Sequence, residues 1–221
     1  MMGSKTVVVG SGRTDAGVHA LGQVAHSDVT RAIPPWNIMM GLNSSLPADV
    51  RVLECTSAPE GFHAQRSASG KSYRYIILNR AAPTALDRHR VWHIRQPLDL
   101  PAMQAAAALL VGEKDFASFK SSGDDTTTVR NLRTLRLERE KDRILLYFEA
   151  NGFLKHMVRN ITGALVEVGL GKLTLSDIED LLRSRSRERA PRKAAPQGLT
   201  LMRVFYEDPP VFPERRLDPA G

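Results

Sequence analysis

From Gly12 to Ala20 the chain reads Gly12-Arg13-Thr14-Asp15-Ala16-Gly17-Val18-His19-Ala20, and the rest of the sequence can be arranged around this run. It follows an apolar segment, Thr6-Val7-Val8-Val9, that ends at Gly10-Ser11-Gly12. A strand entering a tight turn is expected there, because glycine adopts positive φ at little steric cost. Asp15 then falls at a loop tip with Arg13 two residues before it, and a nearby guanidinium favours the ionised carboxylate. Such an Asp suits nucleophilic or electrostatic work better than general-acid work. The residues alone leave a second reading open, a glycine turn with an Asx-type cap and no chemistry. A phosphate or dinucleotide loop is disfavoured, since Gly10, Gly12 and Gly17 do not fit GxGxxG and no Gly-Lys-Ser/Thr follows. The next segment, Gly22 to Val29, puts Val24, His26 and Asp28 on one face, which predicts a strand rather than the helix such a loop needs.

The 221 residues suffice for one domain or two small ones, and either buries a sizeable core. Lys and Arg number 31 against 24 Asp and Glu, a net charge of +7 that favours a polyanionic partner over a neutral metabolite. Cys55 is the only cysteine, which excludes an intramolecular disulfide and a cysteine-based zinc site and suggests a reducing compartment. No stretch approaches ~18 apolar residues and the amino terminus lacks the layout of a signal peptide, so a soluble, cytoplasmic protein is expected. His89 and His93 have helical metal-ligand spacing, but Val91-Trp92-His93-Ile94 predicts a strand, and no metal is expected.

Along the chain, Pro34 to Asn43 predicts a short helix opened by proline, and Val50 to Cys55 predicts a strand. Lys71 to Leu78 alternates, with Tyr73, Tyr75 and Ile77 on one face. Leu100 to Gly112 has the alanine content and terminal glycine of a helix. A polar stretch, Ser121 to Thr128, leads to two runs, Val129 to Glu138 and Ile144 to Glu149, which predict a hairpin turning at Lys141-Asp142-Arg143. A helix is expected from Gly152 to about Gly169, with Met157, Ile161, Leu165 and Val168 on one stripe and Arg159 off it. Another is expected from an N-cap at Ser176, followed by a last strand from Gln197 to Tyr206. Arg183, Arg185, Arg187, Arg189, Arg192 and Lys193 crowd one short segment with only Glu188 among them, more cations than a helix end needs, so a phosphate-contacting patch is expected.

The run from Gly12 to Ala20, with its Gly22-Gln23-Val24 continuation, resembles the signature of the tRNA pseudouridine synthases that modify uridines 38 to 40 of the anticodon arm. Further stretches resemble the same family: Phe62-His63-Ala64 (with Gln65 where Arg usually stands), Tyr73-Arg74-Tyr75, Asp115-Phe116-Ala117-Ser118-Phe119, Met157-Val158-Arg159-Asn160 and Gly198-Leu199-Thr200-Leu201. The resemblance implies an α+β pseudouridine synthase fold, two α/β subdomains with largely antiparallel sheets around a central basic cleft. It places the subdomains at residues 1–60, carrying the catalytic loop, and 61–208, with a tail at 209–221. Family members usually begin with a further strand and helix bearing Tyr-Asp-Gly and Gly-Trp-Gln, absent here, so either an amino-terminal truncation or another segment replacing that element of the sheet is expected.

By the same resemblance Asp15 is the catalytic nucleophile, Arg13 helps to displace the target base, and Tyr73 stacks on the uracil. Arg159 pairs with Asp15 and Leu199 packs beneath the base; the basic run itself, with Arg183, Arg185 and Arg187, is expected from its charge to meet tRNA phosphates. A homodimer and no cofactor are implied: uridine isomerisation is redox-neutral and needs a carboxylate, a pocket for the free uracil and a way to unstack the base. Attack on the ribose and attack on the uracil ring both stay open. The competing readings are an RNA-binding module without activity and, less favoured, a nucleotide-binding enzyme.

Overall fold

The computed structural model describes residues 6–121, 127–186 and 192–206; Arg187, Arg189 and the 209–221 tail lie outside the described residues. In chain order the first elements are β1 (Val9–Gly10), β2 (His19–Ala20), β3 (Ala25–His26), α1 (Pro35–Ser45), β4 (Gly70–Asn79) and β5 (Trp92–Ile94). There follow α2 (Leu100–Leu110), β6 (Gly112–Asp115), β7 (Val129–Glu140), β8 (Arg143–Ala150), α3 (Met157–Gly169), α4 (Leu175–Ser184) and β9 (Leu199–Phe205). The architecture is α+β, and the contacts divide it into two units.

One unit comprises the described residues up to Gly12 together with Val24–Ser67. The two strands expected in it shrink to β1 and β3, paired antiparallel with Val9 opposite His26, and Val7 and Val8 are exposed. A lone two-stranded ribbon has no further ladder to extend it. The strand expected over Val50 to Cys55 is not formed. Its backbone is satisfied otherwise: the Asn43 side chain donates to Val52 O and accepts from Val52 N, both at 2.8 Å. α1 forms where the proline start predicts it but buries no residue.

The other unit comprises Arg13–Gln23 and the chain from Ala68 onward. The run around Asp15 therefore belongs, by its contacts, with the carboxyl-terminal part of the chain rather than with the first 60 residues. The strands order as β2-β9-β4-β8-β7-β6, with β5 also paired to β4. The pairs are antiparallel except β2 with β9 and β4 with β5. Alternation along β4 and β8 sends Tyr75, Ile77, Ile144, Leu146 and Phe148 into one core with Met103 and Leu110 of α2 and Ile161 and Leu165 of α3. The β7–β8 hairpin turns where expected, with Lys141 at φ 56°. α2 begins at the Asp99 cap and stops at Leu110; Gly112, at φ 103°, already starts β6. α4 is capped by Thr174 rather than Ser176, in a reciprocal box with Asp177.

α3 departs most from its sequence pattern. Of Met157–Gly169 every residue but Glu167 is buried, so the helix has no solvent face and the one-stripe reading does not hold. Gly163 is needed where residue 192 crosses it, because a Cβ there would collide with the Arg192 carbonyl oxygen.

Candidate active site

The run around Asp15 is shaped by its attachment to β9. β2 lies parallel to β9 with His19 opposite Thr200 and Ala20 opposite Leu201, and Leu21 N donates to Leu201 O at 2.8 Å. Gly22 allows that approach, since a Cβ would run into the Met202 carbonyl oxygen. At the other end Val18 N donates to Asp15 O at 3.0 Å, closing a turn through Gly17 at φ 82°. Held at both ends, the turn presents the Asp15 carboxylate to the start of α3.

There the carboxylate has two partners. Arg159 Nη1 donates to Oδ2 at 2.5 Å, and His156 Nε2 lies 3.0 Å from Oδ1. Arg159 is 8% exposed, so its charge is held by two acceptors, Asp15 and the Ala194 carbonyl at 2.9 Å from Nε. The strap around Ala194 is itself tied to the helix by Ala194 N donating to Arg159 O at 3.0 Å. The cation beside Asp15 is thus Arg159, supplied from 144 residues away, whereas Arg13 is exposed and makes no ion pair among the described residues. A guanidinium brought in on a buried helix is fixed in place, while one on the same exposed turn is free to sample many rotamers.

Tyr73 stands beside this cluster on β4. The register of β4 against β9 shifts between Ser72 and Tyr73. Its ring meets Phe153 edge-on with centroids 5.0 Å apart. Burial first, and then the negative charge of Asp15, push its phenol up to about 12, so it is a neutral hydroxyl over the working pH range. Leu199 opens β9 opposite Tyr75 and is 6% exposed. Gly198 before it lies against Tyr75, where a Cβ would come within 2.7 Å of the ring, and Tyr75 Oη donates to Ala195 O at 2.6 Å. Tyr75 is therefore the packing residue of the pair, while Tyr73 is the one close enough to feel the Asp15 charge.

The expected basic patch is partly compensated. Arg183 Nη1 pairs with Asp180 at 2.5 Å and Arg185 Nε with Asp115 at 3.1 Å, while both arginine side chains stay largely exposed. Arg187 lies outside the described residues. His93 Nε2 meets the Arg80 carbonyl at 2.8 Å and His19 Nε2 the His89 carbonyl at 2.6 Å. No helix among the described residues is long and apolar enough to cross a membrane.

The sequence model of the family described as tRNA pseudouridine synthase matches residues 106–207. The tRNA pseudouridine synthase A of Thermoanaerobacter sp. (strain X514) is 43% identical over 205 residues, 92% of this chain and 84% of that one. The enzyme of the same name from Acetivibrio thermocellus is 42% identical over 207 residues, 93% and 85% of the two chains, and that of Myxococcus xanthus 43% over 212 residues, 95% and 80%. The chain belongs to the tRNA pseudouridine synthase family. As a tRNA pseudouridine synthase it is an isomerase. The family segment at 106–207 carries α3, the strap around Ala194 and β9, hence His156, Arg159 and Leu199, while Asp15 reaches His156 and Arg159 from earlier in the chain.

Two residues of this cluster, His156 and Phe153, carry no sequence expectation, and Lys193, expected only within the phosphate-contacting run, has its Nζ 3.4 Å from His156 Nδ1. A signal existed for His156, which stands three residues before Arg159 and shares its side of the helix start. None existed for Lys193, which reads as one more cation of a basic run.

Proposed function

We propose that the chain isomerises uridine to pseudouridine in tRNA, at positions 38 to 40 of the anticodon arm, with Asp15 as the nucleophile. The observation that carries the reading is the Asp15 carboxylate, held at 2.5 Å by a buried arginine yet still 34% exposed. The reaction breaks the N1–C1′ bond of uridine, turns the freed uracil and joins C5 to C1′, with the C5 proton lost and N1 protonated in its place. Asp15 attacks, and the covalent link is released when the carbon–carbon bond has formed. Tyr73 stacks on the base and Leu199 packs beneath it, an aromatic and an aliphatic surface for a ring that must be held while detached. Arg13, exposed on the same turn, fills the space the base vacates in this reading. Arg183, Arg185 and Arg187 contact phosphates, which supply much of the affinity without reading sequence. The functional unit in this reading is a homodimer, one subunit guiding RNA to the other's pocket, and sedimentation of a fully active monomer would reject that part.

Asp15→Asn is nearly isosteric and separates chemistry from binding. Turnover is expected to fall by more than ~10⁴-fold, about 5–6 kcal/mol of barrier, with tRNA affinity nearly unchanged. Measured side by side, normal binding together with pseudouridine formation within tenfold of the parent would end the case for Asp15.

A further inference from the structure

His156 precedes α3 in a left-handed conformation (φ 64°, ψ 6°), and its side chain caps no backbone group of the helix. That conformation is disfavoured for a residue with a Cβ, so something in the surroundings has to hold it. The imidazole is mostly buried and bridges two sides: Nε2 is 3.0 Å from Asp15 Oδ1, and Nδ1 is 2.5 Å from Ser121 Oγ and 3.4 Å from Lys193 Nζ. These neighbours fix where the single proton of a neutral ring sits. A carboxylate paired with an arginine only accepts, so Nε2 must carry the hydrogen. An ammonium only donates, so the nitrogen facing Lys193 must offer its lone pair, and the Ser121 hydroxyl donates to the same side. Both flanks select one tautomer.

The charged groups around the ring are Asp15 from the loop, Arg159 from α3 and Lys193 from the strap before β9. Burial lowers the imidazole's proton affinity, Asp15 opposes this, and Lys193 and Arg159 lower it further, with a net shift below the ordinary histidine value. At neutral pH the ring is uncharged.

We infer that His156 is a positioning residue for Asp15: its Nε2–H holds Oδ1 while Arg159 holds Oδ2, so that the carboxylate plane is fixed, and Ser121 with Lys193 locks the imidazole in the donating tautomer. The inference rests on Asp15 being the nucleophile. Each carboxylate oxygen then has one donor from the start of α3, and Asp15 keeps its exposed third for substrate. Arginine alone, on a single oxygen, would leave the carboxylate free to rotate about its Cβ–Cγ bond.

The test combines two substitutions with a direct reading of the ring. His156→Leu removes the donor; His156→Gln keeps an N–H able to reach Oδ1. Loss of orientation predicts a fall in kcat of roughly 10- to 100-fold for His156→Leu with KM for tRNA within threefold. His156→Gln should recover most of that loss. Long-range ¹H–¹⁵N correlation spectra of the parent at pH 7 should show a protonated Nε2 and an acceptor-type Nδ1. A protonated Nδ1 on a neutral ring, a His156→Leu enzyme with parental kcat, or equal losses in both variants accompanied by equal drops in melting temperature would each overturn the assignment. Asp15→Asn, run alongside, keeps the two ideas apart. If it is inactive while His156→Leu is normal, the positioning role alone fails; if it is active, the nucleophile reading falls and this inference with it.

Discussion

Removing the Arg159 side chain should cost the enzyme stability and turnover by separable routes. In the folded protein the side chain is 9% exposed and makes two charge-assisted hydrogen bonds, to Asp15 Oδ2 at 2.5 Å and Ala194 O at 2.9 Å. Arg159→Ala withdraws both and empties the space of the stem. Truncating one partner of a fully buried pair typically costs ~3–5 kcal/mol, because the other charge is stranded. Here Asp15 is 34% exposed and keeps His156, which brings the electrostatic part down to about 1.5–3 kcal/mol. The lost stem adds roughly 2 kcal/mol at ~0.8 kcal/mol per buried methylene. Arg159→Met keeps most of the stem and none of the charge, so it should be about 2 kcal/mol more stable than Arg159→Ala and just as impaired in turnover. Urea unfolding of both variants, read beside pseudouridine formation on tRNA, gives the two quantities separately. A double-mutant cycle of Arg159→Met with Asp15→Asn should show coupling of at least ~1 kcal/mol, since the side chains are in contact. Additivity within ~0.5 kcal/mol, or an Arg159→Met enzyme with parental turnover, would show that Arg159 does not hold Asp15.

Three further outcomes follow from the geometry. Because the Tyr73 phenol is pushed up from about 10 to about 12, it stays protonated in the native state after the unfolded chain has ionised. Its contribution is therefore intact below pH ~10 and lost as pH rises toward ~12, and Tyr73→Phe should flatten part of the alkaline decline in a stability–pH curve; an unchanged curve would contradict the shift. Gly22→Ala should push the β2 end of the loop off β9, because the colliding atom is a backbone oxygen with no rotamer to take up, and should abolish turnover in a protein that still folds; near-normal activity would mean the loop is not pinned there. Affinity for tRNA should fall with salt at a log–log slope of roughly −4 to −5 if about six phosphates are met, and Arg185→Glu should make that slope shallower; salt-independent binding would reject the basic patch.

What could be read from the sequence was what the local chain decides for itself. Glycine spacing around Asp15, the period-two faces of β4 and of the β7–β8 hairpin, and the proline start of α1 depend on backbone sterics and on which face meets a core, and these elements form as expected. The family motifs named Asp15, Tyr73, Arg159 and Leu199, and the fold brings Asp15 together with Arg159 and Tyr73. The tertiary structure alone decided the rest, because each remaining point is a choice between partners distant in sequence. Val50 to Cys55 has strand-forming residues, yet Asn43 takes its backbone groups and no strand forms. The helical pattern by itself sets Arg159 off the apolar stripe of α3 and, without the family motif, offers no reason for it to pair, yet a helix covered on every side leaves it water-poor and obliged to pair. Arg13 lies two residues from Asp15 in sequence but stands in solvent, while Arg159 and His156 arrive from more than 140 residues away. Adjacency along the chain constrains torsions, whereas which charges meet in a desolvated place is set only when β2 pairs with β9 and α3 closes over the sheet.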